Sequence, residues 1–194
     1  MKVVNQTGFK IAPLSGRLNY PKHSLTWIVK GTFALKLNAK AVPAEEQTFP
    51  TGDEFYPDDK EQTGSPRYES DFAFHKPLAD LLLVGACYAP NGKPVRQCPA
   101  SVRIGSKSKT LAVFGNRRWE RHLLSSQATD PEPFTRMELR YENSFGGPKF
   151  RANPVGKGIT ELTDGAGGKY QPLPNIETTL LPSAAWIVRS MKNG

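Results

Sequence analysis

Cysteine is nearly absent from this chain, with only Cys87 and Cys98 among 194 residues. Two cysteines are too few for a disulfide scaffold or a four-ligand structural zinc site. Histidine is scarce as well: His23, His75 and His122 stand at no metal-ligand spacing from one another or from a cysteine. No apolar run approaches the ~20 residues that a membrane span needs. The opening "MKVVNQTGFK" has no signal-peptide core, so the expected location is cytoplasmic. Helical periodicity is thin, and "RRWERHLLSS" (117–126) is the best candidate for one short helix. These absences set the first expectations: no metal, no cofactor and no membrane span.

Turn formers are abundant, with 17 glycines and 17 prolines among recurrent apolar segments. That combination favours many short strands over disorder. "LTWIVKGTFALKL" (25–37) alternates, with Leu25, Trp27, Val29, Phe33, Leu35 and Leu37 on one face, expected to be the buried one. Gly31 marks a bulge or a close backbone approach. "NAK" then reads as a turn into a short return strand near Ala41–Val42. "DLLLVGACY" (80–88) reads as a strand covered on both faces. Asn91-Gly92 can supply the positive φ angles of a tight hairpin turn. That hairpin would set Cys87 opposite Arg96 and Gly85 opposite Cys98. The two cysteines would then be diagonal neighbours ~7–8 Å apart, too far for a disulfide without a shift. The expectation is two free, largely buried thiols.

"ASVRIGSKSKTLAVFG" (100–115) reads as a second hairpin, with Val102 opposite Leu111 and Ala100 opposite Val113. In "RMELRY" (136–141), Met137, Leu139 and Tyr141 point inward, while Arg136, Glu138, Arg140 and Glu142 form an opposite-charge row. "LLPSAAWIVRS", near the end, reads as a short helix or a final strand. The expected fold is all-β, or β-rich with one short helix, with antiparallel hairpins packed as a sandwich. Residues 1–177 are expected to form a single domain and 178–194 a divergent C-terminal tail.

Charge is unevenly spread. The net charge is +8, but residues 45–71 hold nine of the eighteen acids and two bases, so that segment carries −7 and the remainder +15. Residues 43–68 read as a long acidic surface loop. A basic remainder can attract nucleic acid or an acidic protein. "RIGSKSKT" and "GNRRWER" set bases beside Phe114 and Trp119, the strongest support for nucleic acid. The alternative is that Trp119 anchors the core while Arg117, Arg118 and Arg121 stay solvated.

Catalytic patterns are missing. "NPVGKGIT" and "DGAGGKY" lack the spacing of a P-loop. No G-x-S-x-G elbow occurs. Glu138 and Glu142 would lie ~13 Å apart along a strand, beyond the ~5–9.5 Å of a glycosidase pair. A hydrolase site could arise only by spatial assembly, so no catalytic residue is assigned. The stretch "RYENSFGGPKFRANPVGKG" (140–158), with four glycines and two prolines after an alternating strand, is the clearest contact loop.

Six segments taken in order resemble a known family: "PKHSLTWIVKGTF", "ESDFAFHKPLADLLLVGACYAPNGKPV", "GSKSKTLAVFGNRRW", "PEPFTRMELRYENSFGG", "NPVGKG" and "LPNIE". The family is bacterial and was first catalogued as a domain of unknown function. Its members act as type VI secretion effector adaptors or chaperones, encoded beside spike genes and toxins with PAAR-like N-terminal domains. The resemblance implies a non-enzymatic protein that binds the PAAR-like end of an effector and helps load it on the spike. The implied partners are the effector and the spike. Exposed strand edges would also allow oligomers. Partner contacts are expected from Arg140, Glu142, Phe145, Asn153 and Lys157, with Lys157 the most exposed. The same loop also reads as a structural turn, in which Asn153 caps and Phe145 enters the core.

Overall fold

The computed structural model describes residues 3–19, 21–121, 125–159, 161–163 and 165–178. The "LLPSAAWIVRS" segment and all of the 178–194 tail except Thr178 lie outside them. The chain divides into two compact units, residues 1–58 with 66–80 and residues 59–65 with 81–194. Both are built from strands; the second also has two 3₁₀ turns, and no longer helix occurs among the described residues.

The first unit holds three antiparallel ribbons: β1 (Lys10–Asn19) with β2 (Lys22–Lys30), β3 (Phe33–Ala34) with β4 (Val42–Pro43), and β5 (Glu54–Phe55) with β6 (Pro66–Tyr68). The turn at "NAK" is present, with Asn38 at φ 54° leading to β4. The 43–68 loop is largely exposed and carries β5 within it. Gly31 does permit a close approach: the rings of Phe9 and Phe33 lie 3.0 Å from where a Cβ would stand.

The alternation of β2 is present, but its sides are reversed. Leu25, Trp27 and Val29 are 48%, 39% and 58% exposed, and Phe33, Leu35 and Leu37 are exposed too. The half-buried side is Ser24, Thr26, Ile28 and Lys30. The reason is the segment that lies on that side. The Phe74 ring packs on Gly16, where a Cβ would meet it at 2.3 Å. Thr26 donates to the Phe74 carbonyl at 3.0 Å, and Lys30 pairs with Asp71 at 2.6 Å.

Asp71 also accepts from the Thr51 amide at 2.9 Å. Burial pushes the Asp71 carboxyl up, but the Lys30 ammonium and the Thr51 N–H outweigh it and leave the group below its ordinary value. A carboxylate depressed in the fold contributes stability above its unfolded pKa and loses it as pH falls through the folded one. Asp71→Asn is therefore expected to cost about 2 kcal/mol at pH 7. In urea melts the gap to wild type should shrink as pH drops below 3.8, the ordinary value. A gap unchanged at pH 2–3 (roughly) would contradict this linkage.

The second unit is organised around two facing sheets. β7 (Ala86–Tyr88) is followed by β8 (Gln97–Ile104), β9 (Lys107–Phe114), β10 (Arg118–Arg121), β11 (Ser126–Ala128), β12 (Arg136–Glu138), β13 (Phe145–Gly146), β14 (Lys157–Gly158), β15 (Leu162–Thr163), β16 (Lys169–Pro172) and β17 (Ile176–Thr178). β7 pairs with β12, and β17-β9-β8 form a three-stranded sheet. Between them sit Cys87, Val113 and Phe134, with Val95, Cys98, Ala100, Leu111, Met137 and Leu139 packed around. Val113 is fully buried. A further sheet runs β11-β10-β16-β15.

Four expectations for this unit change. The run 80–88 is not a covered strand: only 86–88 pair, and Leu81, Leu82 and Leu83 are 63%, 57% and 59% exposed. β12 offers three partners, after which the chain bends into a 3₁₀ turn at Tyr141–Asn143 and the ladder runs out. Asn91 and Gly92 do adopt positive φ, 55° and 67°, but β7 and β8 do not pair with each other. The β8–β9 hairpin holds a register two residues from the expected one, Ala100 opposite Leu111 and Cys98 opposite Val113. Gly105 at φ 57° allows a tighter two-residue turn, and a shift of two keeps every side chain on its face.

The fourth change is the helix expected at 117–126. Within it, 118–121 form β10, paired with β16 and with β11, which begins at Ser126. The anchor there is Arg117 rather than Trp119. Arg117 lies 3.9 Å over the Phe114 ring, donates to the Pro174 carbonyl at 3.0 Å and is bound to Glu177. Trp119 is 37% exposed.

Candidate partner-binding loop

The 140–158 loop begins where β12 ends. Asn143 Nδ2 donates to the Glu138 carbonyl at 2.8 Å, closing the 3₁₀ turn over the strand end. Ser144 follows, buried, with its amide on the Tyr141 carbonyl at 3.0 Å. The chain then makes β13, loops out and returns as β14, parallel to it, with Phe145 opposite Lys157 and Gly146 opposite Gly158. Lys157 N–H donates to the Ser144 carbonyl at 2.9 Å, and Ile159 N–H to Gly146 at 3.1 Å.

Asn153 is the hub of the loop and is 7% exposed. Its Nδ2 donates to the carbonyls of Tyr141 at 2.9 Å and Phe145 at 3.0 Å. Its own carbonyl accepts from Gly147 at 3.0 Å and Gly156 at 3.2 Å, and its amide donates to Phe150 at 3.0 Å. Glycine is required on both sides of this hub. A Cβ on Gly146 would meet the Asn153 carbonyl oxygen at 2.1 Å, and one on Gly156 would meet Asn153 Nδ2 at 2.4 Å. Phe145 and Phe150 meet edge to face, ring centroids 5.3 Å apart.

The other residues singled out from the sequence sit around this hub. Glu142 does not continue the opposite-charge row. It turns to Ser65, accepting from the amide at 2.6 Å and the hydroxyl at 2.9 Å. Within the row, Arg136 does bind Glu138. Arg140 is half-buried, and its carbonyl accepts from the Asn143 amide at 3.1 Å. Lys157, expected to be the most exposed, is half-buried, and burial lowers the pKa of its ammonium group. A desolvated ammonium is stabilised by any carboxylate brought against it.

Residues 21–191 match the model of DUF2169, described as an uncharacterized protein conserved in bacteria. The chain belongs to the DUF2169 family. No curated protein and no solved structure matches it. The matched span includes the whole 140–158 loop and runs on to 191, past residue 177, where the resemblance noted in the sequence stops.

In this DUF2169 chain the outward side of the loop is made by residues the sequence reading passed over. Pro148, Lys149, Arg151, Ala152 and Pro154 are exposed, and Ile159 is 40% exposed. The signal was available: Lys149 and Arg151 flank Phe150, so burying that ring turns its two basic neighbours outward. The motif "LPNIE" has an interior role. Asn175 is fully buried, its Nδ2 donating to the Phe114 carbonyl at 3.1 Å and to Asn116 Oδ1 at 3.2 Å. Its backbone bridges Phe114 and Asn143, at 2.7 Å and 2.8 Å. The loop therefore rests on the same strand that closes the core sheet.

Proposed function

We propose that this chain is a non-enzymatic adaptor that binds the PAAR-like N-terminal region of a type VI secretion effector and helps load it on the spike. The observation that carries the reading is the 140–158 loop: its polar interior is satisfied by Asn153, and its bases Lys149 and Arg151 face outward. A rigid loop with a charged tip loses little conformational freedom on binding. Its charge matches the basic remainder of the chain, which would steer an acidic partner surface to it. The six ordered segments that resemble effector adaptors point the same way. The exposed Leu25, Trp27 and Val29 supply apolar surface of the kind that protein contacts bury. The outer edge of β8 has no strand neighbour among the described residues and could accept one from a partner.

The test is co-expression with the PAAR-like effector encoded by a neighbouring gene. A co-purifying complex is expected, and deleting the adaptor gene should abolish secretion of that effector. The double variant Lys149→Glu, Arg151→Glu should weaken the complex by about tenfold or more while leaving Tm unchanged, because both side chains are solvated. Absence of any complex, together with normal secretion from the deletion strain, would overturn the proposal.

A further inference from the structure

The two cysteines, expected to be diagonal neighbours on one hairpin, instead face each other from two different sheets. Cys87 lies on β7 opposite Met137 of β12, and Cys98 lies on β8 opposite Val113 of β9. Their sulfurs are 3.2 Å apart, and both thiols are free. Cys87 is buried at 6% exposure, while Cys98 is only half-buried. A disulfide has an S–S length of about 2.05 Å, so closing the pair requires the sulfurs to approach by roughly 1 Å.

We propose that Cys87 and Cys98 are a redox-responsive dithiol, which a small disulfide oxidises to a bond joining the β7–β12 sheet to the β8–β9–β17 sheet. The difference in burial sets the order of events. Cys98, the more accessible thiol, attacks the oxidant disulfide RSSR as its thiolate, forming a mixed disulfide and releasing one RS⁻. Cys87 then gives up its proton and attacks Cys98 Sγ, and the second RS⁻ leaves. Two protein thiols are oxidised by two electrons, one RSSR is reduced to two RSH, and the two protons end on the departing thiols.

Burial, and then the hydrogen bond and charge of Cys98, push the Cys87 thiol up to about 12. Cys87 is therefore a poor first nucleophile. Once Cys98 is in the mixed disulfide, its charge no longer opposes ionisation of Cys87, and the target sulfur is already adjacent. The position of the bond also matters. It would staple the two layers through the centre of the core, beside Val113, Phe134 and Met137.

The full chain, purified reduced, is incubated with oxidised glutathione and read by intact mass, peptide mapping and thermal melting. A product about 2 Da lighter is expected, with one linked peptide pair joining Cys87 to Cys98. Tm should rise by about 6–12 °C, the shift that closing a loop of this length gives a unit of this size. Dithiothreitol should reverse both changes. Cys98→Ser should show neither the mass change nor the Tm response. The peptide map of the wild type stands without that variant if it folds poorly. An unchanged mass, a glutathione adduct that persists on Cys98, a dimer linked between chains, or a link formed with no rise in Tm would each overturn the proposal.

Discussion

Gly115→Ala is expected to destabilise the second unit by about 3 kcal/mol, the upper range for overpacking a site with no room to relax. Gly115 is buried at the end of β9, where a Cβ would stand 1.7 Å from the Glu132 carbonyl oxygen and 2.7 Å from its carbon. Both neighbours are backbone, so no rotamer change can make space. The surrounding hydrogen bonds hold the clash in place: Gly115 N–H donates to Arg96 at 3.0 Å, and Glu132 N–H donates to Asn116 at 2.9 Å. Relief would require breaking one of them. Chemical denaturation with two probes provides the measurement. The midpoint should fall sharply, whereas Gly92→Ala is a milder control, since nothing lies within 4 Å of that position. Gly92 has φ 67°, so its cost is backbone strain alone, roughly 1 kcal/mol. Equal costs at the two positions would show that contact with Glu132 is not what matters.

Asn153→Ala is expected to cost about 1–3 kcal/mol, because it leaves the Phe145 carbonyl without its side-chain donor inside a covered loop and takes one donor from the Tyr141 carbonyl, which keeps Ser144. Asn153→Asp should be no better. A carboxylate keeps the shape but offers no N–H, and it sets a negative charge against two carbonyl oxygens. On the proposed function, both variants should also lose effector binding through collapse of the loop. They are thereby distinguished from the Lys149, Arg151 double variant, which should lose binding at constant Tm. Urea unfolding in parallel with a binding assay separates the two classes. Wild-type stability in Asn153→Ala would mean that the loop is not organised by this side chain.

How far the fold could be read in advance depended on where each determinant sits in the chain. The β8–β9 hairpin was legible because its turn and both apolar faces are local, and the error of two residues came only from how tightly Gly105 lets the chain reverse. The period of β2 was equally legible, yet the covered side was not. Alternation shows that two faces differ, and only Phe74 and Asp71, far along the chain, decide which face is covered. Residues 117–126 carry a helical pattern in their own composition, and β10 exists because Gln171 and Pro172 arrive opposite it. After Asn143 the strands run two to four residues, too short for any period to register. In the candidate loop, glycine and proline marked turns correctly. That Asn153 joins them depends on two carbonyls no motif encodes, and that Glu142 is occupied depends on Ser65. The proximity of the two sulfurs was hidden for the same reason, because it follows from β7 choosing β12 over β8.

The pairing of β17 with β9 has a consequence for the order in which the molecule assembles. Ile176, Glu177 and Thr178 lie beside Val113, Ala112 and Leu111, and Asn175 ties Phe114 to Asn143. On a ribosome every other described strand of this unit is made before "LPNIE". Until that segment emerges from the exit tunnel, β9 has a neighbour on one side only, and the arginine of β9's exit, Arg117, has no Glu177 to meet. Pairings between such distant segments form slowly, since a long loop must close before any contact is gained. The nascent chain therefore passes through an interval with an open strand edge and an unclosed core, the state in which growing chains associate with one another or with a holdase. "LPNIE" acts as the latch of synthesis, and a chain stopped short of it would be released with that edge still exposed.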